Sequence, residues 1–314
     1  MSSWQCFFAA WLYCTVWRSP ALVHTYEKAM LLWPDMFYRT FRREAASVLF
    51  KAAVTILTVI FFISFIESYY SYEQISDGSC NIAVMPVEGI ILPFVDYDEY
   101  ELVTTPGFVR DFIATSEQDP NILGLLVEVN SPGGAPVASE QIANLIHEST
   151  LPSISIIGDI GASGGYLAAA GANRIIASPM SDVGSIGVTM SYTEQSKKNE
   201  EEGITFVPLS TGEFKDAGSP EKPLTEAERA RFEADLEVIL TEFIKSIAFY
   251  RNTTEDAIRA FADGGSMPGV RAKEVGLVDE LGGRKAAREA FSATLGIAAT
   301  DLTFCEYEPL EFFY

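Results

Sequence analysis

The chain has 314 residues, enough for one substantial domain with an appendage, and a formal net charge of −21. Residues 1–66 hold six Lys+Arg against three Asp+Glu, leaving 16 against 40 beyond them. So acidic a body argues against nucleic acid as a partner, and four cysteines without a CxxC or a His/Cys cluster argue against zinc, so no metal or cofactor is expected.

Residues 4–17 are apolar but short for a bilayer span, which needs about 20 residues, and they lack the basic start and A-x-A end of a cleaved signal peptide. Residues 20–38 mix Leu, Trp, Tyr and Met with Glu27, Lys28 and Asp35 and read as an interfacial helix. Residues 45–66 read as a transmembrane helix whose one charge, Lys51, sits where a lysine reaches the headgroups. Arg39, Arg42 and Arg43 precede it; Glu67, Glu73 and Asp77 follow. The positive-inside rule then puts the N-terminus in the cytoplasm and the acidic body outside, with a lipid bilayer between. The predicted organisation is a cytoplasmic or interfacial segment over 1–44, the membrane helix over 45–66, a tether over 67–80, a folded domain over 81–297 and a tail over 298–314. Cys80 and Cys305 lie near the two ends of the acidic body and can pair in an oxidising compartment.

From residue 81 strands and helices alternate. Strands are predicted over 81–92, 122–130, 154–158, 174–177, 183–190 and 204–209. Helices are predicted from Thr105 and Pro106 to Glu117, over 137–148, and from Tyr166 to Ala170. This pattern gives an α/β fold with a mainly parallel sheet. After Pro220 the chain turns helical. Thr225 and Glu228 form a capping box, opening a helix to Tyr250 that is roughly 37 Å long, more than one small sheet needs to cover. Further helices follow from Thr254, near Val270 and over 283–295, and a last strand falls within 301–307.

Two glycine turns follow two of these strands. One is Ser131-Pro132-Gly133-Gly134; the other is Gly161-Ala162-Ser163-Gly164-Gly165. Strands 122–130 and 154–158, if parallel neighbours, bring both turns to one sheet edge, where α/β sites lie. A Ser on a sharp strand-to-helix turn presents its hydroxyl, and the N–H groups of Gly133, Gly134 and Gly164 can form an oxyanion hole. Such a serine needs a base. His24 precedes the membrane helix and His147 falls mid-helix among polar neighbours, so a Ser-His-Asp triad is poorly supported. Among the lysines, Lys197, Lys198 and Lys222 sit in charged or proline-rich surroundings and read as solvated. Lys215 has Phe214 beside it and small residues after it. To act as base its pKa must fall from about 10.4 to roughly 7–8 by burial, and Asp216 must point away.

Six pieces, in this order, resemble the signal peptide peptidase A (protease IV) family of membrane-bound serine proteases. They are Asn130-Ser131-Pro132-Gly133-Gly134, Ala162-Ser163-Gly164-Gly165-Tyr166, Gly184-Ser185-Ile186-Gly187-Val188, the run from Phe214 to Pro220, Leu224-Thr225 with Glu228-Arg229, and Gly276-Leu277-Val278-Asp279. The resemblance implies a Clp/crotonase-like fold and a Ser–Lys dyad, with Ser163 as nucleophile and Lys215 as general base. It also implies homo-oligomers that draw serine and lysine from neighbouring subunits, and extended peptide substrates such as cleaved signal peptides. One segment, 263–269, departs from the family's usual Arg-Val-aromatic-Thr-Gly pattern. Two other readings stay open: a catalytically silent membrane scaffold that binds peptides, and a crotonase-type acyl-CoA enzyme. A serine-directed fluorophosphonate separates the first from an enzyme; the side of the membrane that holds the body separates the second, because CoA esters are cytoplasmic.

Overall fold

The computed structural model describes residues 46–63, 75–76, 78–94 and 102–306. The expected segment 1–44, most of the tether and the end of the tail lie outside the described residues. The chain divides into two compact units, Met1–Ser71 and Tyr72–Tyr314. In the first, helix α1 (Ala46–Ile63) has a mean hydropathy of 2.3 and its residues are all exposed. By length and composition it is long and apolar enough to cross a membrane.

The second unit is built on a mainly parallel sheet. Its strands are β1 (Ile82–Ile91), β2 (Val103–Thr104), β3 (Gly124–Gly134), β4 (Ser153–Ala162), β5 (Arg174–Ala177), β6 (Asp182–Gly184), β7 (Ser266–Pro268), β8 (Glu280–Leu281) and β9 (Phe304–Cys305). The order runs β2-β1-β3-β4-β5-β8, with β9 on β1 and β6 on β4; the β6–β7 pair alone is antiparallel among these described strands. Both faces are covered, so the central strands read as unbroken apolar runs. Alternate residues serve opposite layers: Leu125, Val127 and Val129 face one core with Ile142, Tyr166 and Ile175, whereas Leu126 faces the other with Ile82, Ile176 and Phe291.

The helices of this unit are α2 (Pro106–Gln118), α3 (Pro136–Glu148), α4 (Gly164–Ala170), α5 (Ser196–Glu201), α6 (Glu226–Tyr250), α7 (Glu255–Arg259), α8 (Gly269–Glu274) and α9 (Arg284–Leu295). Thr105 caps α2 by accepting the Phe108 N–H at 3.2 Å, with proline opening the helix. The capping box of α6 is formed by Thr225 and Glu228. Cys80 and Cys305 are joined in a disulfide, Cα–Cα 5.2 Å, across 225 residues.

Several elements differ from the sequence reading. β3 and β4 run on through their glycine turns, because the turns pair with each other, Ser131 against Gly161. Helix α4 starts at Gly164 rather than Tyr166. The strand expected over 183–190 is only Asp182–Gly184, since Ser185 at φ 49° turns the chain off the ladder. Residues 204–209 form no strand and pair with none of the described strands, and Val207 and Leu209 are exposed.

Candidate active site

Ser163 ends β4 and stands as N-cap of α4 with φ 52° and ψ −123°. A non-glycine residue there is strained, by about 1–3 kcal/mol, and strain of this kind persists only when its surroundings impose it. They do: the Ser163 N–H donates to Gly184 O at 2.7 Å, and its carbonyl accepts the Leu167 N–H at 3.1 Å. The helix behind it is fixed by a wholly buried face, Gly164 to Ala170, and by the Tyr166 hydroxyl donating to Leu277 O at 2.8 Å. Burial pushes the Tyr166 phenol up, so it stays a neutral donor. Beneath it Arg251 grips Asp279 with two N–H groups, at 2.6 and 3.0 Å, and Asp279 also accepts the Ile175 N–H at 2.7 Å.

The second turn lies against the first. A Cβ on Gly133, whose φ is +101°, would stand 2.6 Å from Gly164 N and 3.0 Å from the Ser163 Cβ. A Cβ on Gly164 would stand 2.2 Å from Ser139 Oγ of α3 and 3.3 Å from Gly134 N. Only residues without side chains allow this approach. The three glycine donors are not equivalent. Gly133 N–H donates to Ser131 Oγ at 3.1 Å. Ile91 pairs with Gly134 and accepts from Ala135 N–H at 2.8 Å, which in a parallel ladder turns the Gly134 N–H away from β1 and toward the Ser163 turn. Gly164 is the first residue of α4, where a helix leaves N–H groups without intrahelical acceptors and favours negative charge. Gly134 and Gly164 therefore present the two donors on the Ser163 side.

Ser131 was visible in the sequence only as part of a glycine motif. It is fully buried, and its hydroxyl donates to Gly89 O at 2.6 Å while accepting the Gly133 N–H. It closes a bulge where Ser131 and Pro132 oppose the single residue Gly89.

Lys215 sits in a series of turns, exposed. Neither its amine nor the Ser163 hydroxyl makes a hydrogen bond or ion pair among the described residues, so the single chain does not join them. Asp216 stands 3.4 Å from Lys222 Nζ and forms no ion pair with Lys215 among the described residues. Lys222, read as solvated from its charged and proline-rich surroundings, is instead pinned: its amine also donates to Glu228 Oε1 at 2.6 Å. That bond, with the Thr225 N–H, holds the Glu228 carboxyl down at about 2. His147 is exposed at the end of α3, its ring 5.2 Å from those of Phe249 and Tyr250. His24 lies outside the described residues. The atypical segment 263–269 supplies β7 and the carbonyls of Gly264 and Gly265, which accept from Ser185 beside the Gly184 acceptor.

Peptidase family S49 matches residues 146–297. The chain is 30% identical over 267 residues to the "Putative signal peptide peptidase SppA" of Enterococcus faecium, covering 82% of this chain and 76% of that protein. It is 36% identical over 168 residues to the "Putative protease MJ0651" of Methanocaldococcus jannaschii, covering 53% of this chain and 54% of that protein. The match thus spans about half the length of this second relative. Among solved structures, the membrane-bound stomatin-specific protease 1510-N aligns over 73% of this chain and 98% of its own, with a TM-score of 0.48 and 15% identity. With a relative this similar across three quarters of its length, and the family model falling on the Ser163 turn, the chain belongs to peptidase family S49, a family of serine-type peptidases.

Proposed function

We propose that the protein is a membrane-anchored serine endopeptidase that cuts extended peptides, signal-peptide remnants among them, outside the cytoplasmic membrane. Ser163 Oγ attacks the scissile carbonyl carbon while the neutral Lys215 amine takes its proton. The carbonyl oxygen, now negative, accepts from the Gly134 and Gly164 N–H groups, with Gly133 shaping their loop. Lys215 then protonates the leaving amine, and water hydrolyses the acyl-enzyme by the same route in reverse. The observation that carries this reading is a strained serine with an unclaimed hydroxyl, faced by two backbone donors.

The base comes from a neighbouring copy in a homo-oligomer. What supports this is the unengaged Lys215 amine together with the bare apolar surface of the region, where Leu209 is 95% exposed. A neighbour seated there removes water from Lys215 and lowers its pKa. Residues 1–44 stay cytoplasmic, 45–66 span the bilayer, 67–80 tether, 81–297 form the peptidase domain and 298–314 the tail. The Cys80–Cys305 disulfide supports the extracytoplasmic placement, because such bonds persist in oxidising compartments.

Ser163→Ala and Lys215→Ala, made in the full chain in detergent, should each lower cleavage of a fluorogenic peptide by at least about 10³-fold, with the particle mass unchanged. Full activity in Lys215→Ala rejects the dyad. A fluorophosphonate that labels the unaltered protein but not Ser163→Ala separates the enzyme from a silent scaffold.

A further inference from the structure

The loop that carries Lys215 is a run of turns: Lys215 N–H on Gly212 O, Ala217 N–H on Phe214 O, Ser219 N–H on Asp216 O and Lys222 N–H on Ser219 O. It leans on α6 where a Cβ on Gly218 would touch the Phe232 ring at 3.4 Å. One cation ties it down. Lys222 Nζ stands 3.4 Å from Asp216 Oδ1 in the loop and 2.6 Å from Glu228 Oε1 in α6. The other Glu228 oxygen accepts the Thr225 N–H at 2.9 Å and the Thr225 hydroxyl at 3.0 Å, so the far end of this link is the helix cap itself.

The charged groups of the loop and its surroundings are Glu213, Lys215 and Asp216 in the loop, Glu221 and Lys222 in the next turn, Glu200 of α5, which lines one cleft with Glu221 and Lys222, and Glu228 in α6. Glu221 accepts the Ser219 hydroxyl at 2.5 Å. Glu213 is exposed to water. Asp216 is the acid next to the proposed base, and Lys222 is the cation that occupies it.

We infer that Lys222 is a positioning residue for Lys215: it seats the loop on the cap of α6 and holds the Asp216 carboxylate away from the Lys215 amine. The inference rests on Lys215 being the base. Without the Lys222 charge, Asp216 is left with Lys215 as the nearest cation along the chain. That pairing favours the ammonium, the form that cannot accept a proton. Losing a nearby positive charge acts in the same direction. The rise of kcat/KM with pH, which reports a base becoming neutral, must then move to higher pH.

The test is kcat/KM against pH for the full chain in detergent with one fluorogenic peptide, each variant checked for particle mass and thermal unfolding. Lys215→Ala should be inactive at every pH; activity there overturns the base assignment and the inference with it. With Lys215→Ala inactive, Lys222→Met should shift the rising limb up by about one pH unit, the effect of a charge held a few ångströms off at a protein surface. Lys222→Arg should keep the limb in place, and adding Asp216→Asn to Lys222→Met should bring it back. An unshifted limb in Lys222→Met overturns the inference while leaving the dyad standing. So does a loss at every pH that Asp216→Asn does not relieve, because it reports a collapsed loop instead of a charge kept at a distance.

Discussion

A single buried hydroxyl holds the donor loop in place. Ser131 Oγ joins the carbonyl of Gly89, the β1 residue opposite the bulge of β3, to the N–H of Gly133, and both partners lose their hydrogen bond if it is removed. Leaving a buried backbone group unpaired costs about 1–3 kcal/mol, and here the cost falls on the loop that aims Gly134. Ser131→Ala should therefore lower kcat by about 10–100-fold, short of the roughly 10²–10³-fold that follows outright removal of an oxyanion donor, with little change in KM. Steady-state kinetics together with thermal unfolding check it. Little of this was legible in sequence. Pro132-Gly133-Gly134 announced a turn, but a buried serine in a glycine motif looks like any small turn residue until its two partners, 42 residues apart and two residues apart, are brought to it. Lys222 misled for a related reason. Its charged and proline-rich neighbours suggested water, whereas both of its acids, Asp216 and Glu228, arrive through the fold of the loop onto α6.

Among the elements, those with strong local signals were readable. The caps at Thr105 and Thr225 start α2 and α6 where their side chains can accept the N–H three residues on, and β5 runs over the predicted residues. What escaped was structure fixed by distant partners. β2, β7 and β8 have two or three residues each, too few to show a period. The apolar run over 204–209 carries a strand-like composition but pairs with none of the described strands. The cap of α6 also answers to pH. The hydrogen bond from Lys222 and the N–H of Thr225 depress the Glu228 carboxyl to about 2, below its value of about 4.3 in an unfolded chain. A depressed carboxyl contributes stability that is full above the unfolded value and is lost as pH falls toward the folded one. Glu228→Gln should therefore flatten the fall of the melting temperature between about pH 4.5 and 2, measured by thermal unfolding in that range. An equal slope in both proteins would count against it.

At the scale of the molecule, the α/β order and the meeting of two glycine turns at one sheet edge followed from alternating strands and helices, whereas the sequence offered the link between Cys80 and Cys305 only as a pairing open to an oxidising compartment. Cys80 and Cys305 are 225 residues apart, and only the parallel pairing of β9 with the start of β1, Ala83 opposite Cys305, brings them together. Closing so long a loop restricts the unfolded chain, for a typical gain of about 2–5 kcal/mol. Reduction of the full chain should lower its unfolding midpoint by several degrees and change its mobility between non-reducing and reducing gels. The same bond makes nearly the whole peptidase body a covalent ring. A protease exposed to its own neighbours risks being nicked, and any cut between Cys80 and Cys305 opens the ring without freeing a fragment. The broken chain would travel as one piece until a thiol reagent divides it.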